Sequence, residues 1–181
     1  MIAEFDEAVA ELVPEASAGR YEAALANLGA FLGFEAERPE KIHGVGPDVL
    51  WRTDSTFDFV IEAKREKDQD NPLYKKDHAQ PLEAEHWFKN AYPGRRALRV
   101  SALPEAVADP KATPAGSFAL RLDDITKLVG ALRGVLLEVS SPGKSDALRE
   151  RCEAALVKAH LKPDGIKASF LKLFGKKAKG I

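Results

Sequence analysis

The order of hydrophobic periodicities along this chain predicts an α/β fold. It is a mixed β-sheet flanked by helices, with a C-terminal helical hairpin. Three observations carry that expectation. Residues 2–12 and 21–32 repeat apolar side chains at helical spacing. Residues 57–64 alternate with period two and follow a second short apolar run at 47–51. Beyond residue 80, helical and strand-like patterns alternate again and end in a long apolar stripe over 125–139. The 181 residues, 45% of them hydrophobic and 30% charged, suffice for one domain with a real core and a small appendage. The expected division is a core with its N-terminal helices over 1–139 and a basic helical hairpin, packed on that core, over 144–181.

In chain order, Ile2, Phe5, Val9 and Leu12 define a first helix that Pro14 stops. Tyr21 to Leu32 forms a second, with Gly29 allowing close packing. Phe34 to Arg38 alternates before Pro39 and reads as an edge strand, and Lys41 to Val45 as a loop carrying His43. Pro47 to Trp51 and Phe57 to Lys64 are strands joined by a turn over Thr53–Thr56. Arg65 to Lys76 is polar and loop-like. A helix from about Gln80 to Ala91 is expected to bury Leu82, Ala84, Trp87 and Phe88. Ala97 to Ser101 and Phe118 to Leu122 are further strands, separated by a proline-rich loop over 103–117. Asp123 reads as the N-cap of the helix Ile125–Val139. After the linker Ser140–Gly143, Ser145 caps one helix and Pro163 opens a second that runs to Phe174.

Chemistry concentrates between Gly44 and Gln80. Period two puts Glu62 and Lys64 on one face of the strand 57–64, at its carboxyl end. If the runs 47–51 and 57–64 pair, Asp48 approaches Glu62. Two carboxylates that close repel unless a cation lies between them, and hard oxygen donors with open water positions suit Mg²⁺ or Mn²⁺. Lys64 would then face the charge developing on a phosphoryl group. Asp58 shares the face of Glu62 but lies about 13 Å along the strand, too far for one ion.

Asp48, a strand-length spacer, then Glu62-Ala63-Lys64 resembles the PD-(D/E)xK, or restriction-endonuclease-like, nuclease superfamily. The resemblance covers roughly residues 18–138. It implies a restriction-endonuclease-like mixed sheet and metal-dependent cleavage of DNA, RNA not being excluded. It implies Asp48, Glu62 and the backbone carbonyl of Ala63 as metal ligands, and Lys64 as the charge-stabilising group. Many members carry an acidic residue on a helix before the first strand, a place held here by Glu22, with Glu35 and Glu37 as rivals. Many carry a Gln on the helix after the Glu-x-Lys strand, which Gln80 matches. Pro81 departs from the leucine that often follows. The spacing is similar to nuclease domains attached to bacterial helicase-like or defence proteins. This chain has no Gly-x-x-x-x-Gly-Lys loop, so a helicase partner would lie elsewhere.

Net charge is −1 but uneven. From Gly143 onward 10 Lys and Arg face 4 Asp and Glu, which is the expected footprint of a phosphate-backbone contact. Lys75, Lys76 and Arg96 are candidates for a phosphate-binding rim. The single cysteine, Cys152, rules out an internal disulfide, and neither an apolar span nor a signal peptide is evident, so a cytoplasmic protein is expected. Two other classes fit the same residues: a nucleic-acid-binding module that does not cut, and a protein-interaction domain.

Overall fold

The computed structural model describes residues 1–67, 70–109, 111–112, 116–140 and 147–176, with the side chains of His78 and Lys176 outside that set. Its centre is a mixed five-stranded sheet in the order β1-β2-β3-β4-β6. Strands β1 (Glu35–Glu37), β2 (Val49–Arg52) and β3 (Phe57–Ala63) form an antiparallel meander. Strands β4 (Arg96–Leu103) and β6 (Ser117–Arg121) then add in parallel. A two-residue strand β5 (Val107–Ala108) lies between them in sequence.

The alternation of β3 divides the molecule into two layers. Phe57, Phe59 and Ile61 face the larger core with Trp51, Val100 and Leu120. That core is closed by α1 (Ile2–Ala8), α2 (Ala18–Phe31) and α5 (Leu122–Ser140), and by α6 (Leu148–Lys158) and α7 (Pro163–Ser169) of the C-terminal hairpin. Val60 faces the other way, with Leu50, against Ala84 and Phe88 of α4 (Ala79–Ala91). On α5 the expected stripe is buried at Ile125, Leu128, Leu132 and Leu136. The hairpin is part of the main core through Ala155, Leu161, Ile166, Phe170 and Leu171.

Several local expectations are corrected. The first helix stops at Ala8, although Val9 and Leu12 stay buried. Residues 39–43 are a short helix, α3 (Pro39–His43), because Pro39 sits in its first turn and Gly44 ends it with φ 73°. Helix α5 begins at Leu122, so Asp123 is inside the first turn rather than capping it, and Asp124 is buried with its carboxylate on Arg121. Leu82 is exposed and Trp87 only half-buried, leaving Ala84 and Phe88 as the buried face of α4. Helix α7 ends at Ser169, short of Phe174. The open edge of β6 offers unpaired backbone groups, and Lys172 takes them, exchanging two bonds with Ala119 at 2.8 and 2.9 Å. The chain then forms β7 (Gly175–Lys176), which pairs with β5 in the segment expected to be a loop. Ser141 to Gly143 and Ser145 lie outside the described residues.

Gly29 is where helix and sheet meet most closely. Trp51 lies across α2 and donates its indole N–H to the Leu25 carbonyl at 3.0 Å. A Cβ on Gly29 would overlap Cδ1 and Nε1 of that ring. Gly29→Ala is expected to destabilise the protein by about 1–3 kcal/mol, the usual cost of overpacking. The same exchange in an exposed helix favours alanine by about 1 kcal/mol. Chemical denaturation of the two proteins measures the sign directly.

Candidate functional site

The site is built at the ends of two adjacent strands. The ladder pairs Val49 with Ile61, so Asp48, one residue before β2, stands opposite Glu62. Asp48 Oδ2 accepts the Ala63 N–H at 2.7 Å, which ties the two strand ends together. Because Ile61 faces the main core, Glu62 and Lys64 face the other layer, where they are 5% and 8% exposed. Lys64 Nζ lies 3.6 Å from Glu62 Oε2 and donates to Gln80 Oε1. Its own N–H continues the parallel ladder to the Ala102 carbonyl at 2.7 Å. Gln80 and Pro81 fall in the first turn of α4, where proline's missing N–H costs nothing. The departure at Pro81 therefore leaves Gln80 in contact with Lys64.

Glu40, a residue the sequence reading passed over, joins this group. Its backbone N–H bonds the Pro47 carbonyl at 3.2 Å, and its carboxyl is hydrogen-bonded to Asp48. That hydrogen bond raises the pKa of Glu40, helped by burial and by the charges of Asp48 and Glu22. Glu62 is pushed up to about 8, first by burial, then by Asp48, with Lys64 opposing and Glu40 adding to the rise. Ser101 is also added: it is paired with Glu62 in register, is 1% exposed, and its hydroxyl has no partner among the described residues. The signal for Glu40 was local, since Pro39 at a first helical position and Gly44 after the last turn bracket a short helix.

Of the other acids, Glu22 reaches the edge of the group, acting on Glu40 electrostatically while its own carboxylate is ion-paired with Arg38. Glu35 is ion-paired with Arg52, and Glu37 accepts the Tyr92 hydroxyl at 2.6 Å. Asp58, at the opposite end of β3, is fully buried and held by Arg95 Nε at 2.8 Å and the Thr53 N–H at 2.7 Å.

The structure does not bring the three proposed rim cations together. Lys75 and Lys76 are exposed on a 3₁₀ turn (Lys75–His78) leading into α4, near Gln80. Arg96 pairs with Phe57 at the start of β3, whereas Glu62 pairs with Ser101. Five residues of strand, about 17 Å, therefore separate Arg96 from the site. The basic hairpin packs on the opposite layer from Glu62, and Lys162 is 2.8 Å from Glu153. The polar segment after Lys64 is held by an internal ion pair, with Lys67 Nζ at 2.8 Å from Asp77 Oδ2 and Lys67 only 4% exposed.

An open cleft of about 670 Å³ leads to Glu62, Glu40 and Gln80. Its walls are the Gly44–Gly46 loop and the α4 residues Leu82, Glu83, His86, Trp87 and Asn90. Gly46, with φ 102°, lies so near Trp87 that a Cβ there would stand 2.9 Å from Cδ2 of the indole. His43 stacks on Trp87 with ring centroids 6.4 Å apart.

Among the described residues no three acidic, histidine or cysteine groups stand ready as a metal cage. The donor chemistry nevertheless fits a hard divalent ion. Mg²⁺ is commonly held by one or two carboxylates and keeps several waters. Asp48 and Glu62 supply such a pair, and the Ala63 carbonyl faces the same side of its strand as the N–H bonded to Asp48. The raised pKa values of Glu40 and Glu62 mark where a positive charge would be stabilising.

The raised Glu62 pKa fixes a sign. Its ordinary value is 4.5, so the folded state binds the proton more tightly than the unfolded chain. The stabilisation that follows is full below about pH 4.5 and is lost as pH rises through about 8. Glu62→Gln is expected to match wild type near pH 4.5 and to be more stable near pH 9 by about 1–3 kcal/mol in EDTA. Denaturant midpoints across that range give the comparison. Compared with known proteins, the chain matches no family model and no curated sequence.

Proposed function

We propose that this protein is a Mg²⁺- or Mn²⁺-dependent nuclease that hydrolyses DNA phosphodiester bonds, with the restriction-endonuclease-like form of the α/β fold. One observation carries the reading: Asp48, Glu62 and Lys64 converge at the ends of β2 and β3, and Lys64 is aimed by Gln80. These are the residues in which the chain resembles the PD-(D/E)xK superfamily. The order of a helix, three antiparallel strands with the short α3 between the first two, a helix and then parallel strands supports the finer fold assignment.

Asp48, Glu62 and the Ala63 carbonyl would hold the cation. Bound there, it would polarise a phosphoryl oxygen and lower the pKa of a coordinated water. Asp48 also fixes the strand end through the Ala63 N–H, so the two carboxylates keep their relation. Lys64, buried and pinned between Glu62 and Gln80, presents a fixed ammonium to the charge that builds on the phosphate as the ester oxygen leaves. Glu40, whose carboxyl is raised above its ordinary pKa by Asp48, lines the same cleft as Glu62 and would add a third carboxyl beside the cation.

The experiment is incubation of supercoiled, linear and single-stranded DNA, and of RNA, with Mg²⁺, Mn²⁺ or EDTA. Cleavage is expected with either metal and none in EDTA. Lys64→Ala should cut about 10²–10³-fold more slowly, since it loses one preorganised charge stabiliser, while still binding metal in a calorimeter. Glu62→Gln should lose both metal binding and cleavage. A Lys64→Ala protein that cuts at the wild-type rate would remove the lysine from the mechanism. Absence of cleavage by wild type under every condition would leave a binding module of the same fold.

A further inference from the structure

We infer that the cleft beside Glu62 is a nucleobase site, so that the substrate is single-stranded or unpaired next to the scissile bond. The inference deepens the nuclease reading and rests on it for the identity of the ligand. Three features of the cleft carry it.

The first is charge. Its lining includes Glu40, Glu62 and Glu83 but neither Lys nor Arg. A phosphate backbone gains nothing from such walls, so beyond the reacting phosphate the cleft suits a neutral group. The second is apolar surface. Val45 and Leu82 are 54% and 52% exposed at its mouth. Trp87 lines the same cleft and is held by the close approach of Gly46, by His43, and by an edge contact to Tyr92 at 6.2 Å. A rigid indole beside exposed aliphatic groups is what a base needs for stacking. The third is the polar edge. Gln80, His86 and Asn90 line the same space, with Asn90 Nδ2 and His86 Nε2 3.3 Å apart, and offer donors and acceptors to a base.

Size points the same way. About 670 Å³ lies within the range of small-molecule pockets, so a nucleoside fits. Bases inside a duplex are stacked and cannot reach such a space without leaving the helix. A strand whose phosphate meets Lys64 could place the adjoining base against Trp87 only if that base were free.

The test measures affinity and cleavage separately. Binding is followed in Ca²⁺, which takes the same oxygen donors, by fluorescence anisotropy of end-labelled strands. The probes are a short oligothymidine, the same strand with one abasic position moved along it, and the matching duplex. The inference expects the single strand to bind at least tenfold more tightly than the duplex. An abasic residue at one register should cost about tenfold. Leu82→Ser, at an exposed position that folding does not need, should weaken the single strand several-fold and leave the duplex unchanged. Trp87→Phe should keep part of the affinity and Trp87→Leu lose it. Equal affinity for duplex and single strand, or indifference to the abasic position at every register, overturns the inference. Cleavage with Mg²⁺ accompanied by that indifference would leave the nuclease reading standing without it. Base-dependent binding with no cleavage in any metal would do the reverse.

Discussion

The structure depends on the pairing of β2 with β3, and at its end on one hydrogen bond, from the Ala63 N–H to Asp48. Sheet pairing would proceed without it, but Asp48 would then swing away from Glu62 and relieve a repulsion. The bond at 2.7 Å, together with the Glu40 hydrogen bond, holds carboxyl groups where their charged forms disfavour one another. The large apolar layer behind β3 supplies the stability that makes this tolerable: Phe57, Phe59 and Ile61 are essentially fully buried beneath five helices. The strand carries its folding role on one face and the Glu62–Lys64 pair on the other.

Much of this was legible in the sequence because it is written in period two. The alternation of 57–64 tells which side chains share a face, and hence that Glu62 and Lys64 stand together. The stripe of α5 was equally readable, since five turns of helix average out local noise. Gln80 was reachable because only one side chain had to be placed, on a helix starting where proline allowed.

The remainder depended on contacts that short segments make with distant ones. Glu40 sits on five residues of helix, too few for a periodicity, and its role comes from the Pro47 carbonyl seven residues on. Ser101 matters only because β4 pairs with β3 in a particular register. Strands β5 and β7 are two residues each, and neither has a pattern of its own. Arg96 was misplaced for a related reason: its sequence position says it opens a strand, but not that the strand runs parallel to β3 and so begins at the far end. Asp58, at that same far end, is a buried carboxylate fully occupied by Arg95 and Thr53, whereas Glu62 on the same strand faces the open cleft.

The ion pair of buried Lys67 with half-buried Asp77 has a bearing on how the protein behaves in salt. Exposed lysines such as Lys75 and Lys76 lose their pull on a distant polyanion once the ionic atmosphere shrinks to a few ångströms. Lys67 is shut away from that atmosphere, and the segment it clamps delivers the turn that precedes Gln80. On the proposed nuclease reading, capture of a charged strand and alignment of Lys64 would therefore answer to different variables. Rising ionic strength would thin the population of encounters while leaving the internal geometry of each one intact.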